Sequence, residues 1–240
     1  MIRFKDVTLT LGERKVLDNV SFTIETGELI LLVGGSGSGK STILKLILGL
    51  ARPEKGEIYI NGQEIASMRE RRLLKVRRDC GIVFQEGALF DSLTVEENVG
   101  FFLKENLNMP EEEVHKQVVE ELAFLGLEDF LHYYPSQLSG GMKKRVAVAR
   151  AAIANPRIML YDEPTAGLDP IAAQRVVDLI SDLHRQLNIT SVVVTHEIHF
   201  FLNKVKRLMM LKDGRIVYDG APVADIHEWY EDPHFKGAQN

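Results

Sequence analysis

One cysteine, Cys80, stands in 240 residues, so the chain cannot close an internal disulfide and is not a cross-linked extracellular scaffold. Long apolar runs are missing too. Uncharged stretches such as Leu29–Val33 fall far short of the roughly 20 residues a membrane span needs, so a membrane role would have to run through a partner. The opening MIRFKDV lacks the apolar segment of an export signal, and a cytoplasmic protein is expected. An excess of positive charge is also absent. The 29 basic and 34 acidic residues are interspersed and leave a net charge of −5, which argues against nucleic acid as a partner. One cluster departs from this balance, MRERRLLKVRR (68–78). It reads either as a solvated helix face, with Glu70 and Asp79 nearby, or as a surface that meets anionic lipid headgroups. No repeat or low-complexity segment occurs. With 45% hydrophobic residues at this length, the chain can bury a core for one large domain or two lobes.

What is present begins as β-structure. IRFKDVTLTL, VLDNVSFTIE, LILLVG and GEIYING read as strands, the last ending in an Asn61-Gly62 turn. KSTILKLILGL carries apolar residues at helical spacing and ends near Gly49, with Pro53 beyond, so a helix is expected from Lys40. CGIVFQ (80–85) is a further strand, followed by an amphipathic helical insertion over about 95–132. Then come a helix at 142–154, a strand at 157–163, a helix at 170–187 and a strand at 190–197. RLMMLKDGRIVYDG closes as a hairpin about Asp213-Gly214. Strands alternating with helices predict a mostly parallel, covered sheet.

Between the strand LILLV and the helix lies GGSGSGKST: Gly34, Gly35, Ser36, Gly37, Ser38, Gly39, Lys40, Ser41 and Thr42. The spacing Gly34-x-x-x-x-Gly39-Lys40-Ser41 is the P-loop pattern, in the strand-to-helix context that pattern requires. Glycine in an element interior costs up to about 1 kcal/mol relative to alanine, so a run of it implies that the backbone itself must reach a ligand. Backbone N–H groups would wrap the β- and γ-phosphates of a nucleotide, and Lys40 would neutralise phosphate charge. Ser41 would offer its hydroxyl to Mg²⁺, and Thr42 would reach the α-phosphate.

Asp162 and Glu163 follow four apolar residues in IMLYDE, at the end of a buried strand where carboxylates are rarely left unpaired. Asp162 is expected to hold the metal, and Glu163 to face the γ-phosphate and take a proton from attacking water. Ligands of open α/β sheets sit beyond the carboxyl ends of strands, where Gln85 and His196 also fall. His196 alone would read more readily as a structural histidine, but four strand ends offering polar groups to one edge reverse that reading. In LSGGM, Ser139, Gly140 and Gly141 precede a helix expected near Met142. They read as a second phosphate-binding helix start, or as a cap made by Ser139.

GGSGSGKS, the glutamine of VFQ, LSGGM, LYDEP, AGLDP and VVTHE occur in the order characteristic of ATP-binding-cassette (ABC) ATPases and span almost the whole chain, which is identified as a member of that family. The resemblance implies an α/β P-loop NTPase fold with a mostly parallel sheet core, an antiparallel β subdomain and an inserted helical subdomain. It implies one domain over 1–240, with 86–156 as the helical part and 1–85 and 157–240 as the rest. Gln85 resembles the Q-loop residue that touches Mg²⁺ and relays to a partner, and His196 resembles the switch histidine. Ser139, Gly140 and Gly141 resemble the signature that holds ATP bound to the opposite subunit. Asp169 resembles the D-loop acid that crosses the dimer, although Asp169-Pro170 also reads as a helix cap followed by proline.

Two positions depart from the family pattern. Leu11 stands near the usual adenine-stacking aromatic, so an aliphatic base contact with Val16 as neighbour is expected, and Met142 replaces the common glutamine. That methionine, GALFDSLTVEENVGF (87–101) and the Asp232-Pro233 tail are similar to the Mla/Mce-type lipid-trafficking branch. Leu89 and Phe90 read either as a groove for a permease helix or as core of the helical lobe. The resemblance therefore implies an ATPase peripheral to the cytoplasmic face of a bacterial inner membrane. It would pair with a second copy of itself, with integral membrane permease subunits and with a Mce-type lipid-binding subunit. A small-solute or amino-acid transporter ATPase is the alternative. A soluble ABC ATPase acting on DNA or ribosomes is a further one, disfavoured by the short P-loop-to-signature distance and the single cassette.

Overall fold

In the computed structural model, residues 1–223 are described. Strand β1 (Ile2–Leu11) turns through Gly12-Glu13 into β2 (Arg14–Ile24), and the next strand, β3 (Leu29–Val33), leads by residues 34–39 into helix α1 (Lys40–Ile47). Strands β4 (Lys55–Ile60) and β5 (Gln63–Glu64) precede α2 (Glu70–Arg78) and β6 (Cys80–Val83). Helices α3 (Val95–Leu107), α4 (Glu111–Phe124) and α5 (Gly140–Ala152) come next. The rest is β7 (Ile158–Asp162), α6 (Pro170–Leu187), β8 (Thr190–Val194), β9 (Arg207–Lys212) and β10 (Arg215–Gly220).

Two sheets form. The first is antiparallel, in the order β2-β1-β4-β5; the second runs β10-β9-β3-β8-β7-β6 and is parallel except for the final β9–β10 hairpin. Asp213 and Gly214 both adopt positive φ, as a tight two-residue hairpin requires. The fully buried run LILLV in β3 explains the parallel sheet: Leu29, Leu31 and Val33 enter one core, while Ile30 and Leu32 enter another on the opposite face. The first core gathers residues of α3 to α6; the second gathers α1, α2 and the antiparallel sheet.

Three strands are shorter than their apolar patterns suggest, ending at Val83, Asp162 and Val194. Their polar ends leave the ladder and gather on one edge of the sheet. The helix expected near Met142 starts two residues earlier, because Ser139 caps it by accepting from Met142 N at 3.3 Å. The insertion over 95–132 resolves into α3 and α4, broken where Asn108 turns left-handed ahead of Pro110. Thr94 and Glu97 cap α3 reciprocally. The basic cluster is α2, whose Leu73 and Val76 are buried and whose Arg69, Arg71, Arg72, Lys75 and Arg78 are exposed. Asp232-Pro233 lies outside the described residues.

Candidate functional site

The loop after β3 is shaped by close approach. A Cβ added to Gly34 would lie 2.3 Å from Leu211 O and 2.6 Å from Ser38 Oγ, and one on Gly39 would lie 3.0 Å from Val16 O. Gly37 and Gly39 have φ of 70° and 108°, in the region where a side chain is strained. Gly39 caps α1 without a side-chain acceptor, so the first-turn N–H groups stay open to a ligand. Gly35, Ser36 and Gly37 are exposed at the rim, and Ser41 and Thr42 are half-buried in the first turn. Ser38 Oγ is buried with no partner, a group that a phosphate oxygen would satisfy.

Lys40 is buried. Its Nζ donates to Gly34 O at 2.8 Å and Gly35 O at 3.2 Å and lies 3.7 Å from Glu163 Oε1. Burial pulls its pKa below the ordinary lysine value, against the opposing pull of Glu163 and Asp162. Ser41 Oγ donates to Asp162 Oδ1 at 2.9 Å, which brings together a hydroxyl and a carboxylate 121 positions apart. Burial raises the pKa of Asp162; the Ser41 hydrogen bond opposes this, and the charge of Glu163 adds to it. Glu163 is buried with φ 48°, an uncommon backbone setting for a non-glycine residue. Its Oε2 accepts from His196 N at 3.2 Å and lies 2.9 Å from His196 Nδ1. Lys40, Ser41, Asp162, Glu163 and His196 therefore form one connected group. It joins an anion-binding helix start, a cation, a hard-oxygen pair suited to Mg²⁺, and a carboxylate fixed by an imidazole.

The ABC transporter family model matches residues 17–166, well over half of the chain. The chain belongs to the ABC transporter ATP-binding family. It is 45% identical over 236 residues to protein TRIGALACTOSYLDIACYLGLYCEROL 3, chloroplastic, of Arabidopsis thaliana, covering 92% of this chain and 68% of that protein. It is 42% identical to the methionine import ATP-binding protein MetN of Carboxydothermus hydrogenoformans, over 94% of this chain and 67% of the relative. The intermembrane phospholipid transport system ATP-binding protein MlaF of Escherichia coli K12 is 38% identical, over 93% and 83%. Among solved structures, the dimeric post-hydrolysis ATP-binding cassette MJ0796 bound to ADP and Pi superposes with a TM-score of 0.83 at 38% identity, covering 93% of this chain and all of that one. The cbiO1 subunit of the Clostridium perfringens cbiONQ transporter gives 0.86 at 30% identity, over 95% and 91%. The chain is thus an ABC ATPase that binds nucleotide.

In this ABC ATPase the other expected residues form a second group. Ser139, Gly141, Met142 and Asp169 line one surface cavity together with Arg145 and Arg175. Ser139 and Asp169 each cap a helix, which is one of the two readings of each. Asp169 Oδ1 accepts from Ile171 N at 3.0 Å and Ala172 N at 2.9 Å. The glycines also have a packing role: a Cβ on Gly140 would lie 3.2 Å from Leu168, and one on Gly141 would lie 3.1 Å from Ala172. Gln85 is exposed after β6 and lines a cavity with Gly140, Lys144 and Gly167, between the two groups.

Lys144 was not anticipated. It is buried, donates to Gln85 O and lies 3.4 Å from Glu163 O, tying the backbones of two strand ends to α5. Its signal was a charge on the same helical stripe as the buried Ala147 and Val148. Arg14 was missed as well; its Nη2 donates to Gly37 O at 2.8 Å. Of the stretch GALF, Leu89 packs on the first core while Phe90 stays exposed, so the two readings divide between neighbours. Phe90 lines a groove with Phe84, Ala88, Phe101 and Arg150, and Arg77 and Arg78 stand at its edge.

Proposed function

We propose that this ABC ATPase works as a homodimer around two ATP, driving a separate membrane permease for phospholipid at the cytoplasmic face of a bacterial inner membrane. Residues Gly34 to Gly39 cradle the phosphates, Lys40 shifts from their carbonyls to the phosphate oxygens, and Thr42 contacts the α-phosphate. Ser41, Asp162 and Gln85 are the residues that would hold magnesium, which would supply positive charge to offset that of the phosphates. Glu163 takes the proton of the attacking water, and His196 holds its carboxylate in line. Ser139, Gly140 and Gly141 present the open start of α5 to the nucleotide on the partner copy, beside Asp169, in a helical subdomain spanning 86–156. The dimeric form of MJ0796 supports this arrangement.

One observation carries the coupling to a permease: three exposed phenylalanines, Phe84, Phe90 and Phe101, line a single groove immediately beside Gln85. An apolar helix laid there would touch the loop that senses the nucleotide. Phospholipid is supported by the similarity to MlaF and by the GALF stretch, with a Mce-type subunit as the lipid-binding partner. The similarity to MetN favours a second reading, amino-acid import. Among the described residues no helix is long and apolar enough to cross a membrane, which leaves the crossing to the permease. Purifying the native complex and identifying its cargo decides between the two: phospholipid with a Mce-type subunit is expected, and an amino-acid-binding protein in its place would refute the lipid reading. Mixing Lys40→Ala chains with Ser139→Arg chains tests the dimer. One composite site in the mixed dimer should restore part of the activity that each variant alone has lost.

A further inference from the structure

A triphosphate whose γ end meets Glu163 must run in a definite direction across the loop. In the six-stranded sheet, β8 and β7 lie on one side of β3, and β9 and β10 lie on the other. The carboxylates Asp162 and Glu163 and the imidazole of His196 stand at the ends of β7 and β8, so the γ-phosphate belongs on that side. The nucleoside then leaves on the β9–β10 side. The start of β2 is fastened there: Asp18 N donates to Gly214 O at 2.8 Å, and Arg215 is ion-paired with Asp18. Val16 presses on the loop, its Cγ1 3.1 Å from where a Cβ on Gly39 would be. Leu11 and Arg14 are direct cross-strand partners in this hairpin and so share one face.

A purine stacks best on a flat partner, and this end of the molecule offers no aromatic ring between Thr10 and Lys15 or in the β9–β10 turn. It offers two guanidinium planes. That of Arg215 is committed, with Nε and Nη2 both donating to Asp18 Oδ2. Among the described residues, that of Arg14 is held by one edge, Nη2 to Gly37 O, and the residue is exposed. A planar, delocalised cation stacks on aromatic faces and is weakly hydrated, properties a lysine at this position would lack. We propose that Arg14 is the base-contacting residue of this ATPase, its guanidinium standing flat beneath the nucleobase with Leu11 and Val16 closing the edges. The inference rests on the reading that the phosphate loop holds ATP with its γ end at Glu163. It revises the expectation of a purely aliphatic base contact: Leu11 is 56% exposed and borders the plane without supplying it.

The test compares two probes, ATP and inorganic tripolyphosphate, on the full chain by calorimetry. Arg14→Ala should weaken ATP binding roughly tenfold, the scale of one lost stacking contact, and leave tripolyphosphate binding unchanged. Arg14→Lys should resemble the alanine variant, and Arg14→Tyr should restore ATP affinity although it cannot reproduce the bond to Gly37. Equal weakening of both probes would show that Arg14 serves the phosphates or merely props the loop, and would overturn the proposal. So would unchanged ATP affinity in Arg14→Ala, or a failure of tyrosine to rescue. Lys40→Ala must lose both probes; if it does not, the nucleotide site itself has been misplaced, a failure distinct from that of Arg14.

Discussion

Replacing Glu163 by glutamine separates two roles that the carboxylate holds at once. In the nucleotide-free chain, Glu163 Oε1 lies 3.7 Å from the buried ammonium of Lys40, a gross attraction of about 4–5 kcal/mol at an effective dielectric near 20. Glutamine keeps an acceptor for His196 N at the Oε2 position but turns a neutral amide toward Lys40. The net loss is smaller than the gross term, because Asp162 still attracts Lys40 and because burial already disfavours the charges. A cost of about 1–2 kcal/mol is expected, which lowers Tm by about 2–8 °C in a domain of this size. With Mg·ATP bound, the phosphates replace Glu163 as counter-charge and the deficit should disappear. Removing a carboxylate from the neighbourhood of the γ-phosphate should even tighten ATP binding. Turnover should fall about 10²- to 10⁴-fold, since the amide cannot accept a proton from water. Differential scanning fluorimetry with and without Mg·ATP, alongside phosphate-release kinetics, reads each quantity. An apo Tm equal to wild type together with an unchanged ATP shift would show that the Lys40–Glu163 pair contributes nothing. Turnover within tenfold of wild type would remove Glu163 as the base.

Phe90→Ala should weaken association with the permease roughly 30-fold, the scale of one aromatic anchor, and leave ATP affinity unchanged, as co-purification and calorimetry would report. Aspartate at this position is the poorer probe, because Arg150 lies 5.9 Å from the Phe90 ring and could pair with it. Asn98 is fully buried and bonds Phe90 N, Phe90 O, Leu93 O and Thr94 O, so Asn98→Ala should cost about 2–4 kcal/mol and speed amide exchange across residues 87–94. Burial pushes the Cys80 thiol up to about 12, so alkylation of the native protein should be very slow at pH 8 and should accelerate only as the pH approaches that value. The folded-state pKa lies above the unfolded one, so this group's contribution to stability is full below pH 9 and is lost as the pH rises toward 12. Rapid labelling at pH 8, followed by mass spectrometry, would contradict the raised pKa of this half-buried thiol.

The parts of this fold most legible in the sequence were those with a strict local period. LILLV reads as a strand and is one, buried on both faces, and PIAAQRVVDLISDLHRQL reads as a helix, with Asp169-Pro170 as its cap in one of two readings. The phosphate loop was legible because glycine spacing reports backbone geometry directly. Lys144 and Arg14 were not. Each acts by donating to a main-chain carbonyl of a distant segment, and no spacing in the sequence announces a partner 59 or 23 positions away. The stretch GALF was ambiguous because adjacent residues outside regular structure need not share an environment: Leu89 turned into the core and Phe90 out of it. The strand ends were overrun by one to three residues because β-propensity does not register where a chain bends away to build a site.

The loop that carries Phe90 is pinned from two sides. Asn98 ties its far end into α3, and Arg150 of α5 grips the carbonyls of Gly87 and Ala88 at its near end. A segment anchored in this way has little freedom left to surrender when a partner helix arrives, so recognition need not be accompanied by ordering. Force applied to Phe90 is handed straight to two helices. The same α5 begins at Ser139 and passes Lys144, which grips the Gln85 and Glu163 backbones. Through Arg150 and Lys144, α5 thus joins the loop of Phe90 to the Gln85 and Glu163 backbones, as the shaft of a lever would. Nucleotide turnover would be felt at the permease as a rigid displacement and not as a loop melting and reforming.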